Sequence, residues 1–189
     1  QDGEILIKSK KCFKEYKKNP EETSKVFKDG YFVTGDIGEL TAQGFLKITD
    51  RKKDLIKTAG AKYVAPQKIE ALLKQDPLIS NVLIHGDQKK FISALISLEP
   101  EQIAQWAKNE NISYEKIYEL YSNIKLKSRI QKHIQSVNSK LSSFEAIKKF
   151  EIIRDYWTVE NASLTQSLKV KRRHLEEKYI DLINDMYES

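Results

Sequence analysis

Residues 50–60 read Asp-Arg-Lys-Lys-Asp-Leu-Ile-Lys-Thr-Ala-Gly, a run of charges followed by a short apolar pair and a glycine-containing loop. Upstream, short apolar runs alternate with turn signals, which is typical of β-strands with too few apolar residues for an independent core. Downstream, a second pattern alternates between the periods of strands and helices. The charged run therefore indicates a boundary between one domain at 1–52 and another at 53–189.

The downstream region is predicted to be α+β, with a small mixed sheet flanked by helices. Proline is favoured at the first position of a helix, so Pro66 and Pro100 mark two helix starts. The predicted strands cover residues 81–86, 91–98 and 149–154, and the predicted helices cover residues 66–74, 100–109, 114–142 and 171–187. The whole chain is thus a β-rich segment followed by a small α+β domain.

Composition excludes several classes of protein. The chain has 189 residues and a net charge of +6, which suits an anionic ligand without demonstrating one. Its one cysteine, Cys12, cannot form an internal disulfide, and its three histidines lack the spacing of a zinc site. No apolar run approaches the roughly 18 residues that span a bilayer. The sequence therefore predicts no metal site, and it favours a reducing, cytoplasmic setting.

One motif carries an acidic side chain. Residues 31–36 read Tyr-Phe-Val-Thr-Gly-Asp, which predicts a strand that ends in a glycine turn and presents the Asp36 carboxylate at its tip. Glycine permits a sharp bend, and a carboxylate can accept two hydrogen bonds from a ribose diol. Taken alone, Gly-Asp is a common turn pair and assigns no function.

A second motif is basic. Residues 164–173 read Leu-Thr-Gln-Ser-Leu-Lys-Val-Lys-Arg-Arg and follow a polar loop. A basic run of this kind is usually a solvated surface, and phosphate binding is the less frequent explanation.

Read together and in this order, the segments resemble the adenylate-forming superfamily of acyl-CoA synthetases, luciferases and adenylation domains. The stretch 30–70 is the most specific part. The form of the lysine motif at 164–173 and the long helical stretch between Pro100 and Phe150 resemble the long-chain fatty-acid branch. The resemblance covers essentially the whole chain, which begins without methionine. We therefore expect the C-terminal portion of a longer enzyme, without that enzyme's phosphate loop and acyl pocket.

The resemblance implies that four positions face the nucleotide. The aspartate matching Asp36 binds the ribose hydroxyls of ATP and AMP, and the arginine matching Arg51 supports the same region. Lys57 matches a lysine that approaches the nucleotide in some long-chain members. Lys169 matches the lysine needed for adenylation, where negative charge gathers around the α-phosphate.

Two further positions are implied to serve domain motion. Lys53 matches the hinge between a large N-terminal domain and a small, mobile C-terminal one. The loop around Gly60 resembles the part that enters the active site for the second half-reaction. Ala61 departs from the family, since many members have a second glycine there, and this difference would tighten the loop.

The implied activity of the intact enzyme is that of a long-chain fatty acid–CoA ligase. It uses ATP, Mg²⁺ and CoA, and its partners are small molecules, with no nucleic acid. The fragment alone is not expected to be active, and peripheral membrane contact of the parent enzyme is left open. Two alternatives also stay open: a sister ligase acting on aryl or amino acids, and a basic nucleic-acid-binding module. Salt-dependent retention on DNA or RNA would favour the module.

Overall fold

The computed structural model describes residues 3–188, which form two compact units that meet between Leu55 and Ile56. The predicted domains begin at residue 1 and end at residue 189, and positions 1, 2 and 189 lie outside the described residues. The division between the units falls three residues after the predicted boundary at 52/53. That boundary stays a prediction.

The first unit is built on one antiparallel sheet. Its elements are β1 (Glu4–Ile7), α1 (Pro20–Val26), β2 (Phe27–Lys28), β3 (Tyr31–Leu40) and β4 (Leu46–Arg51), followed by a 3₁₀ helix at Lys52–Asp54. Strands β1, β2 and β4 all pair with β3. The long strand β3 therefore determines where the side chains of this unit lie.

Strand β3 corrects one sequence prediction. Gly35 and Asp36 do not form a turn at a strand end, because β3 continues through both residues. Gly35 has a φ of +70°, and the pairing of β3 with β4 shifts register between Ile37 and Gly38. Glycine inside a strand often marks such an irregularity, since it adopts positive φ at little cost. The glycine here distorts the strand instead of ending it.

The second unit has the predicted α+β architecture. Its elements are β5 (Ile56–Lys57), β6 (Tyr63–Val64), α2 (Pro66–Leu73), β7 (Ile79–His85), β8 (Ile92–Leu98), α3 (Pro100–Asn109), α4 (Ile124–Asn138), β9 (Ile147–Ile153), α5 (Arg172–Lys178) and α6 (Ile180–Glu188). Strands β5 and β6 form a two-stranded sheet, and the larger sheet has the order β7-β8-β9. Since β7 and β8 are antiparallel and β8 and β9 are parallel, this sheet is mixed. The predicted fold class is confirmed.

The larger sheet separates two apolar clusters. Neighbouring residues of a strand point to opposite faces, so Val82 and Ile84 belong to one cluster and Leu83 to the other. The first cluster contains buried residues of α2, α3 and α4, and the second contains Trp157 and residues of α5 and α6. The loop around Gly60, which precedes α2, and the basic motif at 164–173, which leads into α5, are therefore both attached to a packed core.

Two predicted helices are shorter than expected. In place of one helix over 114–142, a 3₁₀ helix at Ile117–Ser122 precedes α4. The Asn123 carboxamide caps α4 by accepting hydrogen bonds from the backbone N–H groups of Lys125 and Leu126, at 2.9 and 3.3 Å. In place of one helix over 171–187, α5 and α6 meet at Tyr179, whose φ and ψ of −110° and 24° interrupt the helix. Within the described residues, every helix is too short or too polar to cross a membrane.

Candidate functional site

The first unit brings Asp36 and Arg51 together. The two residues lie directly opposite each other on β3 and β4, and Arg51 Nε donates to Asp36 Oδ1 at 2.8 Å. The side chain of Asp36 is 26% exposed and that of Arg51 is 57% exposed. A carboxylate accepts more than one hydrogen bond, so Asp36 retains the capacity to receive hydroxyl donors beside the guanidinium. The structure thus places these two predicted site residues side by side.

Backbone contacts hold this pair in place. The Thr34 hydroxyl accepts from the Asp36 N–H at 3.0 Å and donates to the Ile5 carbonyl on β1 at 2.8 Å. On the opposite strand, the buried Asp50 carboxylate accepts from the Arg51 N–H at 2.7 Å. The backbones on both sides of the ion pair are therefore fixed by short polar contacts.

The predicted hinge residue, Lys53, lies in the 3₁₀ helix that follows β4. Its side chain is exposed, and the Leu55 N–H donates to the Lys52 carbonyl at 3.3 Å across the turn. Lys52 Nζ contacts Glu4 Oε2 at 2.6 Å, which ties the turn to β1. The structure places Lys53 at the end of the first unit.

The loop around Gly60 connects β5 and β6. The Thr58 N–H donates to the Lys62 carbonyl at 3.0 Å, and the Ala61 N–H donates to the Thr58 carbonyl at 2.9 Å. The residue with positive φ is Ala61, at +56°, and not Gly60. Left-handed backbone costs a non-glycine residue roughly 1–2 kcal/mol. The alanine that departs from the family thus stands where a glycine would be least strained.

A neighbouring turn supports this loop. The Asp87 carboxylate accepts from the Lys57 N–H at 3.0 Å, and the Gln88 N–H donates to the Lys57 carbonyl at 2.8 Å. The Ala59 N–H donates to the Lys89 carbonyl at 3.0 Å. The Lys57 side chain is exposed, and its Nζ lies 5.9 Å from the centre of the Tyr63 ring. The same turn therefore anchors both Lys57, at the end of β5, and the loop around Gly60.

Lys169 lies on a separate loop of the same unit. Leu164 and Val170 pair as an isolated antiparallel bridge, and the Thr165 N–H donates to the Lys169 carbonyl at 2.8 Å. The Thr165 hydroxyl accepts from the Lys169 N–H at 3.1 Å. Leu168 has a φ of +58°, so the tip is tight, and the Lys169 side chain is exposed. The backbone of Lys169 is fixed while its amine reaches solvent.

One partly buried charge pair was not among the predicted site residues. Arg172 Nη2 donates to Glu70 Oε1 at 2.7 Å, although the two residues are 102 positions apart. A signal for Glu70 existed in the sequence. It follows Ile69 on α2 and lies four residues after Pro66, on the side of the helix that faces the core. An acid at such a position needs a donor, but the sequence does not say which one.

The described residues 3–188 contain no group of three or more His, Cys, Asp or Glu side chains arranged to hold a metal ion. The polar groups that the structure does assemble are a partly exposed carboxylate–guanidinium pair in the first unit and two backbone-anchored segments with lysines in the second. Such groups can accept hydroxyl donors and stabilise negative charge.

Curated relatives are similar to this sequence along nearly its whole length. The chain is 38% identical over 187 residues to the long-chain-fatty-acid–CoA ligase FadD15 of Mycobacterium tuberculosis, covering 98% of this chain and 31% of the relative. It is 37% identical to human long-chain-fatty-acid–CoA ligase 6, covering 98% and 27%. The chain thus spans less than a third of the length of these relatives.

Solved structures share the fold. The adenylation domain of a carboxylate reductase from Mycobacterium chelonae superposes with a TM-score of 0.73 at 29% identity, covering 99% of this chain and 28% of that one. The corresponding domain from Segniliparus rugosus, solved with AMP and a co-purified carboxylic acid, gives a TM-score of 0.71 at 26% identity, covering 98% and 28%. The family described as the AMP-binding enzyme C-terminal domain matches residues 53–189. Because that match covers most of the sequence, this chain belongs to the family of AMP-binding enzyme C-terminal domains.

Proposed function

We propose that this chain is the C-terminal part of a long-chain fatty acid–CoA ligase. In the intact enzyme, the carboxylate of a fatty acid attacks the α-phosphate of ATP, giving an acyl-adenylate and pyrophosphate. The thiol of CoA then attacks the acyl carbon, and AMP leaves with the electron pair of the broken acyl–phosphate bond. The observation that carries the proposal is the 37–38% identity to long-chain-fatty-acid–CoA ligases across nearly the whole chain.

The ion pair in the first unit suits the sugar of the nucleotide. The Asp36 carboxylate would accept hydrogen bonds from the two ribose hydroxyls, while Arg51 holds that carboxylate from its other side. Each hydrogen bond to a charged acceptor contributes roughly 1.5–3 kcal/mol. These two residues would therefore orient the nucleotide without taking part in bond making.

The lysine loop suits the adenylation step. The Lys169 ammonium group, held on a tight loop, would stabilise the negative charge that develops on the α-phosphate as the carboxylate attacks. Removing one preorganised donor of this kind costs roughly 10²–10³ in rate. We assign the loop around Gly60 to the thioester-forming step, Lys57 to contact with the nucleotide, and Lys53 to the hinge between the two arrangements.

Mg²⁺ is part of the proposed ATP chemistry, and the described residues offer no cluster for it. The substrates are proposed to be a fatty acid, ATP and CoA, in a cytoplasmic enzyme. Membrane contact of the parent enzyme stays a prediction.

The proposal is tested with Lys169→Ala in the intact enzyme. Acyl-adenylate formation should fall by roughly 10²–10³, because the variant lacks the positioned cation. Thioester formation from supplied acyl-adenylate should be nearly unchanged. Lys171→Ala is the matched control, since Lys171 is also exposed and lies two residues away. Equal loss of both half-reactions in Lys169→Ala would contradict the assigned role.

A sister ligase is the second candidate, because the similar solved structures include adenylation domains of carboxylate reductases. A panel of long-chain, aryl and amino acids, assayed by pyrophosphate release from the intact enzyme, separates the two. Release that is confined to aryl or amino acids would refute the long-chain assignment.

A further inference from the structure

One edge of the larger sheet is covered at Ile84 by two side chains. Strand β7 is one of the two outer strands in the order β7-β8-β9, so the side of its backbone that faces away from β8 has no neighbouring strand in that sheet. At Ile84, the backbone N–H donates to Glu70 Oε1 at 3.0 Å, and the carbonyl accepts from Arg172 Nη1 at 2.6 Å. The carboxylate and the guanidinium thus take the place of a partner strand.

The same two side chains bond each other. Arg172 Nη2 contacts Glu70 Oε1 at 2.7 Å, and the side chains are 22% and 12% exposed. A pair this well covered differs from a surface ion pair, because removing one member leaves the other charge in a poorly solvated place. We expect the pair to act as a unit and to hold three segments, α2, β7 and α5, at one point.

The Glu70–Arg172 pair, here called the anchor, lies next to the loop that carries Lys169. Arg172 is the first residue of α5 and follows Lys169 by three residues. The loop that carries Lys169 is closed at its base by the Lys171 N–H, which donates to the Ser163 carbonyl at 2.9 Å. The Arg172 guanidinium therefore fixes the end of the loop against the sheet. Glu70 does the same for α2, which follows the loop around Gly60.

We propose that Glu70 and Arg172 are positioning residues for the Lys169 loop. They touch no reacting atom, and they act by setting where the Lys169 backbone lies relative to the sheet. The inference rests on the proposed function for the role of Lys169 in adenylation. A displacement of about 1 Å can cost roughly 10²-fold in rate, so loosening the anchor should affect the step in which Lys169 acts.

The first test replaces the guanidinium in the intact enzyme. Arg172→Gln should lower the kcat of acyl-adenylate formation by roughly 10–100-fold, with thioester formation from supplied acyl-adenylate within about twofold of the unmodified enzyme. Hydrogen exchange, read by mass spectrometry, should become faster in peptides covering residues 164–171. Arg173→Gln is the matched control, because Arg173 is the neighbouring and exposed arginine, and it should change neither readout.

The second test guards against a variant that fails to fold. Glu70→Gln keeps an acceptor for the Ile84 N–H but removes the charge that holds Arg172. It should give the same selective loss, and the double variant should lose little more than either single one, because the pair acts together.

Several results would overturn the inference. Unchanged loop exchange in both Arg172→Gln and Glu70→Gln would show that the pair does not hold the loop. Equal loss of both half-reactions, with faster exchange throughout the second unit, would reduce the pair to a general structural role. Failure of the proposed function is recognised separately: Lys169→Ala would then spare adenylation, and the loop exchange of Arg172→Gln would still report whether the anchor holds.

Discussion

At the scale of single residues, the ion pair between Asp36 and Arg51 is better explained by binding than by stability. Arg51 is more than half exposed, and an exposed salt bridge contributes about 0–1 kcal/mol to the free energy of unfolding. Two neighbouring polar contacts, from Thr34 and Asp50, nevertheless fix the backbone on both sides. An ion pair that contributes little to stability but has its backbone fixed on both sides is typical of a ligand-binding position.

Asp36→Ala in the intact enzyme tests this interpretation. We expect the KM for ATP in acyl-adenylate formation to rise roughly 10–100-fold, because about 1.5–3 kcal/mol of charge-assisted hydrogen bonding is lost. The melting temperature should change little. Glu39→Ala is the control, since Glu39 lies on the same strand and is exposed. A normal KM in Asp36→Ala would refute ribose binding by this carboxylate.

The sequence could identify Asp36, Arg51 and Lys169 as candidates because each lies in a contiguous motif with a recognisable pattern. It could not identify the Glu70–Arg172 anchor in the same way. That contact joins side chains 102 positions apart and depends on Ile84, whose polar contribution comes only from its backbone. Contacts of this kind follow from the path of the chain in space and have no local signature.

At the scale of elements, the two helix starts marked by proline were predicted well, whereas the start of α4 and some of the helix ends were not. Pro66 and Pro100 each begin a helix, since proline is preorganised for the first helical position. The break between α5 and α6 has no comparable signal. It occurs at Tyr179, whose hydroxyl donates to Asp155 Oδ2 at 2.8 Å and accepts from Trp157 Nε1 at 3.3 Å. Tertiary contacts with a distant segment thus accompany the end of a helix that apolar periodicity alone would continue.

The contacts of Asp155 at this break make a contribution to stability that depends on pH. Lys178 Nζ contacts Asp155 Oδ2 at 2.6 Å, and this bond, with a second from Tyr179, lowers the pKa of the Asp155 carboxyl. A carboxyl whose folded pKa is lowered contributes stability that is present above its unfolded pKa of about 3.9 and is lost as the pH falls through its folded pKa.

We therefore expect Asp155→Asn to lower the melting temperature slightly at neutral pH. The change in the free energy of unfolding should be about 0–1 kcal/mol, because both charges are more than a third exposed and are screened by solvent. The difference between the variant and the unmodified protein should shrink as the pH falls below about 4. Glu177→Gln, a nearby exposed acid, serves as the control. A difference that grows toward acid pH would contradict this assignment.

At the scale of the whole molecule, the two units differ in how much core they have. Both apolar clusters are made of residues from the second unit, which begins at Ile56. Among the described residues of the first unit, Ile37 is the one hydrophobic residue that is buried, while Leu40, Phe45 and Ile48 are 73%, 71% and 62% exposed. Exposed apolar groups of this number favour a unit that packs against further protein. This agrees with the proposal that the first unit is the end of a larger domain.

A hinge between the two units is the remaining requirement of the proposed two-step reaction, and Lys53 is the predicted residue. It lies in the 3₁₀ helix at Lys52–Asp54, where φ is typically about −50 to −70°, close to the value that proline imposes. Lys53→Pro should therefore keep the φ of residue 53 near the value typical of this helix and prevent it from changing. Because the Lys53 side chain is exposed, no packed contact is lost.

In the intact enzyme, we expect Lys53→Pro to leave acyl-adenylate formation near normal and to slow thioester formation from supplied acyl-adenylate. A loss of at least roughly tenfold would correspond to about 1.4 kcal/mol in the barrier of the second step. Lys53→Ala removes the same charge and leaves φ free, so it should behave like the unmodified enzyme in both assays. Thioester formation at the normal rate in Lys53→Pro would contradict the assignment of Lys53 as the hinge. Equal slowing in Lys53→Ala would show that the charge, and not the backbone, matters at this position.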